Sequence, residues 1–158
     1  ALGDAIFDIV IQPVSTCYVP HVSLVYLEIA RLMETGGLYI SQHKQPISLQ
    51  TAALPSPEGY TISESYYRTE ALPDAGPGLS HRESGTMEFI HRWSQLIGDL
   101  CHAGFAIEDL TEPEHFNPVA QRGTAAHRYC YAPPYVKLKA RRTEAPSSPI
   151  GVGRLWTP

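Results

Sequence analysis

The stretch Ile6–Ser41, IFDIVIQPVSTCYVPHVSLVYLEIARLMETGGLYIS, decides the fold of this chain. It opens with Ile6–Ile11, an apolar and β-branched run of the kind that suits a strand buried on both faces of a parallel sheet. Over residues 20–33, apolar residues recur with helical spacing, which predicts an amphipathic helix that Gly36–Gly37 would end as a left-handed cap. Leu38–Ser41 follows as the next strand, so the stretch predicts a right-handed βαβ unit.

A long irregular segment and a second helix follow this unit. Gln50–Ser84 is rich in proline and glycine and predicts a long loop insertion with little regular structure, which its tyrosines would pack. Residues 86–102 carry a broad apolar stripe, which predicts a helix from Thr86 to His102 with Trp93 and Leu96 in the core.

Two more strands and a tail complete the chain. Phe105–Leu110 is a short apolar run, and Tyr135–Ala140 alternates polar and apolar residues with the period of a strand. Residues 143–158 are rich in proline and are expected to form a mobile tail, which leaves residues 1–142 as the folded part.

Composition narrows the range of partners. The 158 residues carry a formal net charge of −4, which argues against a nucleic-acid partner or an anionic membrane. No apolar run approaches the roughly 18–20 residues of a membrane-spanning helix. The 3 cysteines are far apart, as expected for reduced thiols in a cytoplasmic protein, and the 7 histidines show no spacing typical of a metal site.

Three short motifs resemble parts of class I S-adenosylmethionine-dependent methyltransferases of the type 11-like group. Phe7-Asp8-Ile9-Val10 is similar to the "FDxV" run of that family's fourth strand. Residues 32–38, LMETGGL, resemble the "L-x-x-G-G-x-x" turn before its fifth strand, and residues 103–110, AGFAIEDL, resemble its sixth. The resemblance implies an α/β fold: the second half of a Rossmann-like sheet, strands four to seven, with the last strand antiparallel and a long loop insertion at 50–84. It also implies the spatial order Ile6–Ile11, Leu38–Ser41, Tyr135–Ala140, Phe105–Leu110, with the last pair antiparallel.

The same resemblance implies that part of the family's site has no counterpart here. The glycine-rich loop after the first strand and the acidic residue that ends the second hold the cofactor in that family, and this chain begins just before the fourth strand. A missing N-terminal half is therefore an expected partner. Because the neighbour of Ile6–Ile11 would then be absent, that strand should form an exposed edge with apolar surface on both faces.

The ends of the predicted parallel strands indicate the candidate site residues, because α/β sheets bind ligands outside the carboxyl ends of their strands. With S-adenosylmethionine as the implied cofactor, the turn after the first strand would contact it through Gln12, Pro13, Val14 and Ser15. His43, after the second strand, is the favoured general base because histidine titrates near neutrality. The acceptor contacts would come from Tyr18, His21 and Tyr67.

Two classes of function remain open. The first is methyl transfer from S-adenosylmethionine to a small-molecule acceptor, in which this chain supplies the acceptor side and one wall of the cofactor cleft. The second is a non-catalytic binding or assembly module on a methyltransferase-like half-sheet, with the tyrosine-rich insertion as its contact surface. A nicotinamide-dependent reductase is disfavoured because the strand ends carry no Tyr-x-x-x-Lys pair.

Overall fold

A four-stranded sheet organises the computed structural model, which describes residues 2–76 and 81–143. The expectation of a mobile tail falls almost entirely on residues 144–158, which lie outside the described residues. A π-helical segment, Ser94–Gly98, runs directly into the short helix Asp99–His102. The elements in chain order are β1 (Phe7–Gln12), α1 (Val22–Leu32), β2 (Met33–Lys44), α2 (Pro46–Gln50), α3 (Asp99–His102), β3 (Phe105–Thr111), α4 (Ala125–Arg128) and β4 (Tyr135–Arg142).

The strand order is β1-β2-β4-β3, which confirms the predicted arrangement. β1 and β2 run parallel, and β4 is antiparallel to both of its neighbours. Because β4 comes last in the chain but lies between β2 and β3, the sheet has the closing antiparallel strand that the family resemblance implies. Between residues 50 and 84, the described part of the chain carries no helix or strand after α2.

The core lies between one face of the sheet and the helices α1 and α3. Tyr26 of α1 and Leu100 of α3 are fully buried there against Tyr39 of β2 and Leu138 of β4. The Tyr26 hydroxyl donates to the carbonyl of Leu96, 3.2 Å away, and so links α1 to the π-helical segment. Leu96 is buried as predicted, whereas its companion Trp93 is only half-buried at the border of this cluster.

The opposite face of the sheet is open in the described part of the chain. Ile9 and Ile11 of β1 are 56% and 69% exposed, and Ile40 beside them in β2 is 38% exposed. Ile40 pairs with the exposed Lys139 of β4, and the exposed Lys137 pairs with Gln42 further along β2. The prediction that β1 is an exposed edge strand is therefore confirmed. The expectation of burial on both faces is wrong, and apolar exposure is concentrated on one face.

The second predicted helix is shorter than its apolar stripe suggested. Helical structure begins only at Trp93, because residues 86–92 pair with distant backbone instead. The Phe89 N–H donates to the carbonyl of Cys17 at 2.7 Å, and the Glu88 carbonyl accepts from the Leu72 N–H at 2.7 Å. These long-range bonds replace the first two turns of the expected helix.

Gly36 and Gly37 lie within the sheet and do not cap α1. The helix ends at Leu32 and β2 begins at the next residue, so both glycines lie within the strand. Gly36 has φ +87°, where the register between β1 and β2 is irregular. A Cβ on Gly37 would lie 3.2 Å from the carbonyl oxygen of Asp8 in β1 and 2.9 Å from that of Glu34. Glycine therefore allows the two strands to approach.

Candidate functional site

The turn after β1 is held in a defined shape at the carboxyl edge of the sheet. Gln12 ends β1, and its side-chain N–H donates to the Ser15 hydroxyl at 3.1 Å. The carbonyl oxygen of the same amide accepts from the Tyr39 hydroxyl of β2. The side chain of Gln12 thus joins the turn to both parallel strands. Gln12, Val14 and Ser15 are half-buried in this turn.

His43 lies inside this edge and not on its surface. Its side chain is fully buried, with Nδ1 2.9 Å from the Thr16 hydroxyl and Nε2 2.8 Å from the Ser41 hydroxyl. Burial, followed by the nearby His91, lowers the pKa of His43 to about 4. The imidazole is therefore neutral at pH 7, with both nitrogens in hydrogen bonds. Its role as general base stays a prediction.

A buried ion cluster lies beside His43, and it was not found from the sequence. Glu88 is fully buried, its carboxylate bound by the Lys44 ammonium and, at 2.6 Å, by Nε of Arg82. Arg82 also donates to the carbonyl of Pro73 at 2.7 Å. Two cations thus share one carboxylate. The spacing of residues in the sequence does not predict this cluster, because its three residues come from separate segments. In addition, the apolar pattern around Glu88 predicts that this residue lies on the outer face of a helix.

A cavity of about 120 Å³ opens next to this cluster, at the carboxyl ends of β1 and β2. Its wall is polar, and the described residues around it include Val14, Tyr18, Lys44, His81, Arg82 and Tyr135. Burial is the main cause that raises the pKa of Tyr18, and burial followed by the charge of Arg128 lowers the pKa of His81 to about 4. Neutral side chains, the cations Lys44 and Arg82 and the acidic residue Glu83 therefore all line this cavity.

A second cavity, of about 110 Å³, lies next to the start of α1. It contains the predicted residue His21 together with Arg68 and Arg92. The predicted residue Tyr67 stands beside it, with its ring centre 5.4 Å from the guanidinium carbon of Arg92. The structure thus divides the three predicted acceptor contacts between two cavities, with Tyr18 in the first and His21 and Tyr67 at the second.

Arg128 secures the irregular segment that surrounds the first cavity. It is 2% exposed, and its guanidinium donates to the carbonyls of Ser48, Thr51 and Ala52 at 2.6–3.1 Å. These carbonyls lie at and just beyond the end of α2, where backbone acceptors have no helical partner. A buried cation thus anchors α4 to the beginning of the long loop.

In residues 2–76 and 81–143, no group of three or more histidine, cysteine or acidic side chains is arranged to hold a metal ion. In the same described ranges, none of the helices combines the length and the apolar character that crossing a membrane requires.

Sequence comparison leaves the chain without assigned relatives, since no protein-family model and no curated protein matches it. Structural comparison does find proteins of similar fold. An S-adenosylmethionine-dependent methyltransferase from Mesorhizobium loti superposes with a TM-score of 0.62 at 21% identity, over 89% of this chain and 64% of its own. A protein from Listeria monocytogenes assigned to the same class gives 0.68 at 16% identity, over 91% and 65%.

A third structure, of S-adenosylmethionine-dependent methyltransferases from Methanosarcina mazei, gives a TM-score of 0.53 at 12% identity, over 90% of this chain and 62% of its own. This chain therefore spans a little under two thirds of the length of these proteins. Their common cofactor is the one that the sequence resemblance implied. The chain has the fold of the S-adenosylmethionine-dependent methyltransferases.

Proposed function

We propose that this chain takes part in methyl transfer from S-adenosylmethionine to a small-molecule acceptor, supplying the acceptor side and one wall of the cofactor cleft. The observation that carries the proposal is the polar cavity between Val14, Tyr18 and Lys44. It lies at the carboxyl ends of two adjacent parallel strands, the place where open α/β sheets bind ligands. The fold shared with methyltransferases supports the choice of reaction.

In this proposal, Gln12, Pro13, Val14 and Ser15 form the cofactor wall. Their turn is held by the hydrogen bonds of Gln12 to Ser15 and Tyr39, so it offers a fixed surface. When bound, the cofactor supplies a methyl group activated by its sulfonium. The protein's main contribution is then alignment, which in well-oriented reactions is equivalent to effective molarities of about 10⁵–10⁸ M. Tyr18, His21 and Tyr67 are the proposed acceptor contacts.

The described residues fit part of the cofactor and not all of it. A cavity of about 120 Å³ is small beside the roughly 300–1,000 Å³ that sites for drug-sized ligands occupy. We therefore propose that an N-terminal half of the fold completes the cleft, either as residues upstream of Ala1 or as another chain. Within the described residues β1 has no second strand neighbour, so its edge offers backbone groups to such a partner, and the open face with Ile9 and Ile11 offers apolar surface.

Cofactor binding should depend on that completion. Each polar group of a ligand left without a partner costs about 1–3 kcal/mol, so several such losses weaken binding by a few factors of ten. We expect isothermal titration to detect weak or no binding of S-adenosylmethionine to the 158-residue chain, and clear binding to a form extended by its upstream residues.

The two possible failures of this experiment have different meanings. Tight binding by the 158-residue chain would show that its site is complete and would overturn the shared-cleft proposal. Absence of binding by the extended form would overturn methyl transfer itself. The second outcome would leave the non-catalytic binding module, which the open apolar face of the sheet also favours, because a face of that kind buries well against a partner protein.

A further inference from the structure

The second cavity combines positive charge with an apolar wall. Arg68, Arg92 and His21 contribute side chains that can donate hydrogen bonds, and Phe89 and Ile90 contribute apolar surface. Surface cavities with this mixture suit a ligand that carries an anionic group on an organic body, because the charged and apolar parts can each find a partner.

Arg92 provides the net positive charge of this cavity. Its backbone N–H donates to Gln95 at 3.0 Å, and its guanidinium lies over the Tyr67 ring, 5.4 Å from the ring centre. Among residues 2–76 and 81–143, other arginines form salt bridges, but no salt bridge joins Arg92 to a carboxylate. The five N–H donors of this side chain are therefore available to a ligand.

Arg68 is held in place at the same cavity. Its Nη1 donates to the Glu64 carboxylate at 3.1 Å, and its Nε and Nη2 donate to the carbonyl of Ala71 at 3.2 and 3.0 Å. Glu64 offsets its charge, so Arg68 contributes fixed N–H donors and Arg92 contributes the net positive charge. A guanidinium fixed in this way loses little further freedom when it binds.

The beginning of α1 adds to the positive potential. Pro20 and His21 line the cavity just before this helix of 11 residues. The first turn of α1 contains no acidic residue, and its N-cap His21 makes no side-chain capping bond. The partial positive charge of the helix N-terminus therefore acts in the same direction as Arg92.

We propose that this cavity is an oxyanion subsite that binds a carboxylate or phosphate group of an organic ligand. The guanidinium of Arg92 matches both groups, because its planar donors can bind two oxygens at once. The body of the ligand lies against Phe89 and Ile90, and Tyr67, 72% exposed, flanks the bound group through its stacking on Arg92.

The position of the subsite connects it with the first cavity. The Phe89 N–H bonds the carbonyl of Cys17 at 2.7 Å, and Nε2 of His91 bonds that of Thr16 at 2.8 Å. The wall of the subsite is thus attached to the turn that directly follows Gln12–Ser15. On the proposed function, on which this step rests, the anionic group belongs to the methyl acceptor.

The subsite can be tested without cofactor or acceptor. Inorganic phosphate and acetate would each be titrated into the isotope-labelled chain at constant ionic strength, with the Nε–H of Arg92 and the side-chain amide of Gln95 followed by NMR. We expect one or both anions to shift these signals saturably. Arg92→Gln should weaken that binding about tenfold or more, because a hydrogen bond to a charged group is lost. Arg92→Lys keeps the charge but not the planar fork of donors. Its affinity for the anion should therefore lie between those of the parent chain and of Arg92→Gln.

Arg31→Gln is the matched control, because Arg31 lies in the last turn of α1, away from the cavity, and its loss changes the net charge equally. It should leave anion binding unchanged. A response to phosphate alone would indicate a phosphate-bearing ligand, and one to acetate alone a carboxylate. No localised shift with either anion, or equal weakening by the two glutamine variants, would overturn the subsite. Because no S-adenosylmethionine is present, neither result depends on methyl transfer.

Discussion

Glu88→Gln is expected to destabilise the protein by about 3–5 kcal/mol, the usual cost of removing one partner from a buried ion pair. Glutamine keeps the shape of the side chain but removes the charge that Lys44 and Arg82 share. Both cations would then be left in a largely buried place, with exposed side-chain fractions of 7% and 10%. Denaturant unfolding at pH 7 measures the change directly.

The chain contains a matched control for this substitution. Glu108 also lies between a lysine and an arginine, with Lys139 at 3.0 Å and Arg141 beside it, but on the exposed surface of the sheet. Glu108→Gln should change stability little, because water screens exposed ion pairs. Adding Lys44→Met to Glu88→Gln should recover part of the loss, since one unpaired cation is removed. Equal effects of the two glutamine variants would show that burial of Glu88 does not matter.

Stability should also fall steeply between pH 7 and pH 5. Burial lowers the pKa of His43 and of His81 to about 4 and lowers that of His91 as well, whereas unfolded histidine titrates near 6.5. As pH falls through 6.5, these histidines bind protons in the unfolded state but not in the folded state. The free energy of unfolding therefore decreases until about pH 4. For His43 alone the loss between pH 7 and pH 5 is about 2 kcal/mol, and His81 and His91 add to it.

Denaturant unfolding at several pH values in that range separates this effect from carboxylate titration, which occurs mostly at lower pH. His43→Gln should lower stability at pH 7, because Thr16 and Ser41 lose their partner, but it should make the dependence on pH shallower. A parent protein with the same stability at pH 7 and pH 5 would contradict the assignment.

Local patterns were enough to predict the strands, and the family resemblance supplied their order. Tyr135–Ala140 alternates apolar and charged residues, and the structure buries Val136 and Leu138 while it exposes Lys137 and Lys139. The motif FDIV likewise marks the strand that ends at the candidate site. In these segments the pattern that determines the local conformation lies within the segment itself, so a single sequence is sufficient.

The candidate site required information that no local pattern contains. Residues 86–92 have the apolar spacing of a helix, but backbone bonds to Cys17 and Leu72 hold them in another conformation. The same bonds place Glu88 between Lys44 and Arg82. For the predicted base His43, sequence position gave its place near the end of β2 but not its burial or its two hydroxyl partners, which come from Thr16 and Ser41.

The position of β4 in the sheet has a consequence for how the chain folds. Residues Tyr135–Arg142 lie between β2 and β3, so β3 is joined to the rest of the sheet only through β4. Pairs such as Leu38 with Arg141 close a loop of about one hundred residues, and closing long loops slows the search for native contacts. We therefore expect β1 and β2 to pair before β4 joins them, because their pairing closes the shorter loop.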